Sequence, residues 1–195
     1  MRYQNWIERV SGQLAGTDHG AYVTGLEELG KILGYVAVRP KGQAPADMIW
    51  RAVFGNIREY ITFDAKIEHQ SNSKISYRDV GQVGNQKTRA LAEQSSKGYV
   101  VRTVIATHMD ELEPEAFSSL GEIRILTKDV ILALWKRVTR DLSSYRARWS
   151  LDDIGARRMA FDILVPTLPP AGWLTRALAT DESFVAIDAL LTEWP

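Results

Sequence analysis

Cysteine is absent from the 195-residue sequence. This absence excludes disulfides and cysteine-based zinc sites, and it is typical of a protein from a reducing compartment. No apolar run approaches the ~20 residues that a membrane-spanning helix needs, and the first residues lack the apolar stretch of a secretory signal. Together these absences predict a soluble, cytoplasmic protein.

Net charge is also lacking, because Lys+Arg and Asp+Glu both number 24. No overall electrostatic field therefore draws the chain towards nucleic acid. The charge is uneven, however, and a basic cluster between residues 136 and 158 predicts a local basic surface. That cluster comprises Lys136, Arg137, Arg140, Arg146, Arg148, Arg157 and Arg158. The glycine-rich motifs of dinucleotide-binding and P-loop proteins are missing, which excludes nucleotide hydrolysis by those motifs.

Apolar periodicity predicts an α/β fold with a central mixed β-sheet flanked by helices. We expect a core of residues 1–150 and a C-terminal helical extension, residues 151–195, packed on it. Predicted helices cover residues 3–14, 21–33, 76–95, 113–119, 128–145, 173–179 and 181–193. Predicted strands cover residues 35–39, 48–54, 57–63 (continuing to 66), 99–107, 122–126 and 161–165, with a hairpin turn at Gly55-Asn56.

The hairpin brings charged residues to one point. Side chains at i and i+2 of a strand share a face, so Asp64 and Lys66 project together, and Asp47 at the mouth of the hairpin can lie beside Asp64. Two carboxylates and a lysine suit metal-assisted phosphodiester hydrolysis, because Mg²⁺ takes oxygen ligands and often needs only one or two carboxylates. A lysine beside the metal can orient the attacking water or stabilise the transition state.

These residues resemble the PD-(D/E)xK nucleases, the restriction-endonuclease-like superfamily. The motif reads Pro45-Ala46-Asp47, followed by Asp64-Ala65-Lys66 seventeen residues after the first aspartate. Ala46 departs from the family pattern by separating the proline from the aspartate. The element order over residues 21–126 is also similar to that of the family core.

The resemblance implies a site and a cofactor. Asp47 and Asp64 would hold Mg²⁺, for which Mn²⁺ would substitute, and the Ala65 carbonyl would add a ligand. Lys66 would act on the water or the transition state. The family often adds a glutamate from the helix before the first strand, and we expect this to be Glu27 rather than Glu28.

Further polar residues are candidates for contact with nucleic acid. The helix after the site carries Gln82 and Gln86, where related nucleases often place a glutamine or lysine. Phosphates could be contacted by Lys74, Arg78, Lys87 and Arg89, or by the basic cluster at residues 136–158. Gly81 and Gly84 on the same helix suggest close approach by either the sheet or DNA. The histidines His19, His69 and His108 show no metal-ligand spacing, so we expect surface or packing roles for them.

The residues and the resemblance together predict a Mg²⁺-dependent deoxyribonuclease with a role in restriction, defence or repair. Two alternatives remain open. One is a degraded module of the same fold that binds nucleic acid or a partner protein, and the other is a metal phosphoesterase acting on nucleotides or RNA. DNA is the expected partner, with a homodimer or a helicase or restriction partner as further expectations, because one active site per chain cuts only one strand at a time.

Overall fold

The structure is a computed structural model of the chain. It describes residues 2–42, 45–67, 73–93, 97–149, 153–167, 169–170, 172–192 and 194, with the backbone alone at 161 and 163–167. Eight helices and five strands are formed within these ranges. The helices are α1 (Arg2–Ala15), α2 (His19–Ile32), α3 (Tyr77–Ala92), α4 (Pro114–Ser119), α5 (Lys128–Arg148), α6 (Ile154–Thr167), α7 (Trp173–Ala177) and α8 (Ile187–Thr192).

The strands form one mixed sheet in the order β1 (Val36–Val38), β2 (Met48–Phe54), β3 (Ile57–Lys66), β4 (Val100–Thr107) and β5 (Ile123–Thr127). The β1–β2 and β2–β3 pairs are antiparallel, whereas β3–β4 and β4–β5 are parallel. The predicted hairpin is confirmed, with Phe54 paired to Ile57 across the turn. The predicted α/β fold with a mixed sheet between helices is therefore confirmed.

Alternation along β3 determines what each face of the sheet contacts. Ile61, Phe63 and Ala65 belong to the large core shared with α1, α2, α5, α7 and α8. The even-numbered residues face the opposite side, where α3 and α4 cover the sheet with a smaller core that includes Val80 and Val83. Because Asp64 is even-numbered, it points towards α3 rather than into the large core.

Helix α2 packs closely enough on the sheet to fix its position. A Cβ at Gly30 would lie 2.5 Å from the indole nitrogen of Trp50 on β2, so the contact requires glycine. At the other end of α2, the side chain of Asp18 accepts a hydrogen bond from the Ala21 backbone N–H and caps the helix. The N-terminus of α2, beginning at His19, is thereby held near the mouth of the hairpin.

The C-terminal helices are tied to the sheet by buried polar contacts. Glu59 on β3 is fully buried and accepts hydrogen bonds from the Tyr35 hydroxyl at 2.8 Å and the Thr175 backbone N–H at 3.1 Å. Arg124 on β5 donates through Nε to the Thr180 carbonyl at 2.7 Å. Removing the carboxylate of Glu59 would leave these donors buried and unpaired.

Two predictions for the C-terminal part are wrong. Residues 161–165 belong to α6 instead of a strand, because the Asp153 side chain accepts from the Ala156 N–H and starts a helix that continues through them. Residues 183–185 lie in the predicted last helix, but instead they extend the sheet, since Ile125 on β5 exchanges backbone hydrogen bonds with Ser183 and Val185. Within the described residues, no helix combines the length and apolar content needed to cross a membrane.

Candidate active site

The register of the hairpin sets Asp47 opposite Asp64. Met48 pairs with Phe63 at the end of the β2–β3 ladder, and the backbone N–H of Asp47 donates to the Phe63 carbonyl at 2.9 Å. Carrying the antiparallel register one residue further places the two aspartates across from each other on the α3 face of the sheet. Both line an open cleft at this end of the hairpin.

Asp64 is nearly buried, with 2% of its surface exposed. Its Oδ1 accepts hydrogen bonds from Gln86 Nε2 at 2.7 Å and from Gln82 Nε2 at 3.3 Å. Its Oδ2 forms an ion pair with Lys66 Nζ at 2.9 Å, but has no well-aligned hydrogen-bond donor among the described residues. One oxygen is thus held by α3, and the other faces the lysine.

Burial raises the pKa of Asp64 above its ordinary value. Lys66 and Gln86 oppose that rise, because they stabilise the charged form, while the neighbouring charge of Asp47 adds to it. The net direction is upward, so the folded protein bears a free-energy cost for keeping this carboxylate ionised without a cation. A divalent cation between the two carboxylates would remove that cost.

Lys66 is held on more than one side. Its ammonium donates to Gln82 Oε1 at 3.1 Å, lies 2.9 Å from Asp64 Oδ2, and lies 3.7 Å from Asp79 Oδ1. Asp79 in turn forms a capping box with Ser76 at the start of α3. A lysine anchored in this way keeps its charge at the cleft in a fixed position.

Asp47 accepts a backbone hydrogen bond at the end of the hairpin and also faces the cleft. Its Oδ2 accepts a hydrogen bond from the Ala65 backbone N–H at 2.7 Å, and its Oδ1 lies 3.3 Å from His19 Nε2. About a quarter of the Asp47 side chain is exposed, far more than for Asp64. Asp47 is thus a structural acceptor and a solvent-accessible carboxylate at the same time.

The cleft between these groups is lined mainly by polar residues. They are His19, Asp47, Asp64, Ala65, Lys66, Ile67 and Gln82. In the described part of the chain, no group of three or more His, Cys, Asp or Glu residues is arranged to hold a metal ion. Two carboxylates and nearby backbone oxygens fit Mg²⁺, which keeps several waters, better than Zn²⁺, which takes four protein ligands at structural sites.

Solved structures similar to this chain include two of one restriction endonuclease. Restriction endonuclease FokI has a TM-score of 0.45 and 14% sequence identity, covering 76% of this chain and 30% of that chain. FokI bound to DNA has a TM-score of 0.45 and 15% identity, covering 76% of this chain and 29% of that chain. This chain thus spans under a third of the length of the FokI chains. No family model matches the sequence. No curated protein matches it either.

Glu27 does not line the cleft. Its Oε1 lies 2.7 Å from Lys31 Nζ and its Oε2 lies 3.3 Å from Arg39 Nε, so both oxygens are ion-paired. The hydrogen bond from Lys31 lowers the pKa of Glu27, which keeps the carboxylate charged and paired. Glu28 is similarly occupied, by the indole N–H of Trp6 and by Lys31. Helix α2 contributes His19 to the cleft instead.

The residues predicted to contact nucleic acid fall into two groups. Gln82 and Gln86 reach Asp64 directly, as described above, and Gln86 also donates to the Pro45 carbonyl at 3.1 Å. Arg78 and Arg89 lie on the exposed side of α3, whereas Lys74 is paired with Glu111.

Residues at i, i+4, i+7 and i+11 of a helix share a face, and this spacing defines a polar ridge along α3. The ridge consists of Arg78, Gln82, Asn85 and Arg89.

Gly81 and Gly84 face open space. A Cβ added to either glycine would meet no heavy atom of the described residues within 4 Å. Close approach by the sheet therefore does not explain these two glycines.

His19 is the cleft residue that sequence reasoning missed. A lone histidine at a helix start carries no ligand spacing, and its contact with Asp47 arises from tertiary packing of α2 against the hairpin. The only available signal was its position directly after the capping residue Asp18. His69 lies outside the described residues, and His108, directly after β4, is not among the residues that line the cleft.

Replacing Asp47 should separate its two roles. Asp47→Asn keeps an oxygen that can accept from the Ala65 N–H, so the metal-free free energy of unfolding should change by less than about 1 kcal/mol. Asp47→Ala leaves that N–H unpaired and should cost about 1–3 kcal/mol. Urea unfolding of both variants in EDTA measures the difference. An asparagine variant as unstable as the alanine variant would show that the fold itself requires the charge.

Proposed function

We propose that this protein is a Mg²⁺-dependent nuclease that hydrolyses phosphodiester bonds in DNA, with Mn²⁺ able to replace Mg²⁺. The observation that carries the proposal is the meeting of Asp47, Asp64 and Lys66 at one cleft on the α3 face of the sheet. The proposal includes membership of the restriction-endonuclease-like superfamily, on the strength of the motif and the element order.

The donor set at the cleft supports a divalent cation. Asp64 is a buried carboxylate whose Oδ2 has only an ion pair with Lys66 and no aligned donor in the described part of the chain. Asp47 offers Oδ1 at the surface of the same cleft. Asp47, Asp64 and the Ala65 carbonyl would hold the cation, which would polarise the scissile phosphate and lower the pKa of an attacking water.

The remaining residues have positioning or charge-stabilising roles in this proposal. The Lys66 ammonium, fixed by Gln82 and Asp79, donates to the attacking water or to a phosphate oxygen as negative charge develops there. Gln86 orients Asp64 through Oδ1, and His19 orients Asp47. Glu27 is left out of the catalytic set, because Lys31 and Arg39 occupy its carboxylate.

Nucleic acid would approach over α3. The ridge of Arg78, Gln82, Asn85 and Arg89 borders the cleft and carries no carboxylate. Gly81 and Gly84 leave room for a sugar–phosphate backbone to come close to the helix. The basic cluster of α5 and α6 offers a second surface, so the two surfaces need to be distinguished by experiment.

A nicking assay on supercoiled plasmid tests the proposed function. The protein should nick DNA in Mg²⁺ or Mn²⁺ and not in EDTA, and Asp64→Asn should abolish nicking. Asp188→Asn makes the same chemical change at an exposed position of α8 and should nick like the parent. DNA binding measured in Ca²⁺ completes the design. Binding without cleavage in any metal would identify a nucleic-acid-binding module instead of an enzyme.

The salt dependence of DNA binding locates the DNA surface. If Arg78 contacts a phosphate, Arg78→Ala should reduce the slope of log K against log salt by about 1, since each neutralised phosphate contributes about 0.9. Arg148→Ala removes an exposed arginine from the basic cluster on α5 and should leave the slope unchanged. Fluorescence anisotropy at several salt concentrations measures both. The reverse result would place DNA on the α5–α6 surface.

A further inference from the structure

A second cavity lies beside the catalytic cleft on the α3 face of the sheet, and we call it the α3 cavity. Its apolar walls include Pro45, Ile49, Tyr60 and Ala90, and its volume is about 100 Å³. Ile49, Tyr60 and Ala90 pack together as a small cluster of their own, separate from both larger cores. The cavity therefore has a floor formed by β2, β3 and α3.

Gln86 connects the α3 cavity to the catalytic residues. Its Nε2 donates to Asp64 and to the Pro45 carbonyl, which fixes the orientation of the amide. The other amide atom, Oε1, has no hydrogen-bond partner in the described part of the chain, although Gln86 is only 4% exposed. An unpaired buried acceptor is unfavourable, and an N–H group that a ligand brought to this oxygen would stabilise it.

Charged groups complete the lining of the cavity. Lys41 and Arg89 contribute cations, and Glu93 contributes a carboxylate that accepts from the Tyr60 hydroxyl at 3.1 Å. Apolar walls, hydrogen-bond acceptors and flanking cations together match a flat ring that carries N–H donors and is attached to a phosphate. A nucleotide has this combination of groups.

We infer that the α3 cavity binds one base of the substrate, next to the scissile phosphate that the cation at Asp47 and Asp64 would bind. A base stacked and paired in a duplex cannot enter a cavity, so the nucleotide must be single-stranded or turned out of the helix. The substrate class is then DNA with an unpaired nucleotide at the cleavage site. This inference rests on the proposed function for the position of the phosphate, whereas the base site can be tested without cleavage.

Binding of mononucleotides tests the base site directly. The four 5′-deoxynucleoside monophosphates and 2-deoxyribose 5-phosphate are titrated into the full chain in Ca²⁺ by calorimetry. The sugar phosphate carries the same phosphate and lacks the base. We expect at least one nucleotide to bind at least tenfold more tightly than the sugar phosphate. Equal affinities for the sugar phosphate and all four nucleotides would overturn the base site.

A variant that fills the cavity provides the second arm. Ala90→Leu adds three carbons to the wall and should reduce nucleotide affinity at least tenfold, with sugar-phosphate affinity unchanged. Ala92→Leu makes the same change at an exposed position two residues further along α3 and serves as the control. Thermal unfolding checks that Ala90→Leu folds. If it does not, nucleotide-induced NMR shifts of the Ile49 and Ala90 methyl groups in the parent replace this arm, and their absence would contradict the inference.

Cleavage assays keep the two proposals distinguishable. If nucleotides bind only while the α3 cavity is open, and the protein cleaves no DNA, the proposed nuclease function is wrong and the base site is supported. The opposite result is cleavage that requires Asp64 but has the same rate on fully paired and unpaired oligonucleotides, and the same rate in Ala90→Leu. That result would contradict the base site and support the nuclease function.

Discussion

Lys66→Ala is expected to cut DNA about 10²–10³-fold more slowly than the parent protein, while binding metal and DNA with nearly unchanged affinity. The reason is that the proposed action of Lys66 falls on the attacking water and the transition state, which are absent from the ground-state complex. Single-turnover cleavage in Mg²⁺ and DNA binding in Ca²⁺ give the two quantities separately.

Two further variants sharpen the Lys66 experiment. Lys66→Arg keeps the charge but replaces a compact ammonium by a planar guanidinium, so it should restore little activity. Lys87→Ala removes a lysine of α3 that is paired with Glu122, and this variant should cleave at the parental rate. Cleavage by Lys66→Ala at the parental rate would show that the Asp-x-Lys motif is not catalytic here.

Asp64→Asn should abolish metal-dependent cleavage and also change how stability depends on pH and metal. Because burial raises the pKa of Asp64 in the folded state, folding favours its protonated form. The stabilising contribution of the protonated form is complete below the unfolded-state pKa, near the ordinary value of 3.8, and is lost as pH rises through the raised folded-state pKa. At neutral pH without metal, the parent therefore bears the cost of a buried charge that asparagine lacks.

The measurement is urea unfolding of parent and Asp64→Asn in EDTA over a range of pH. The free energy of unfolding of the variant minus that of the parent should be largest near neutrality and should shrink as pH falls, because the parent aspartate becomes protonated. Adding metal at a hundred times its dissociation constant should stabilise the parent by about 2.7 kcal/mol and leave the variant unchanged. A difference independent of pH, together with equal stabilisation of both by metal, would place the cation elsewhere.

The hairpin and its charged end were predictable because strand alternation is a local property. Once residues 57–66 are read as one strand, Asp64 and Lys66 share a face, and the two-residue turn fixes the register that sets Asp47 opposite Asp64. The same alternation, combined with the helix after β3, gives the side of the sheet on which the site lies. The structure confirms the hairpin and the mixed sheet.

The long-range contacts of the site were not predictable in the same way. His19 reaches Asp47 only because α2 packs against β2 at Gly30, and nothing in the residues near His19 indicates that contact. The ion pair between Glu27 and Arg39 likewise depends on tertiary structure, because Arg39 follows β1 and Glu27 lies on α2. The resemblance indicated an acidic residue from α2, whereas α2 places a histidine in the cleft.

The errors at the C-terminal end have a different cause. The apolar run at residues 161–165 is short, and periodicity alone cannot distinguish a buried strand of that length from part of a helix. The cap at Asp153 determines the outcome, because it starts a helix upstream that includes the run. At residues 183–185 the open edge of β5 provides backbone hydrogen bonds, and this pairing takes the place of the predicted helix.

A manganese soak of crystals of the protein tests the central claim most directly. The anomalous difference map should show one strong peak in the cleft, in coordination distance of the Asp47 and Asp64 carboxylates, and no such peak in crystals of Asp64→Asn. The same peak should weaken when Mg²⁺ is added in excess, because both ions would occupy one site. A cleft without a peak at saturating Mn²⁺, in a crystal that leaves the cleft open to solvent, would contradict the metal site and the nuclease function built on it.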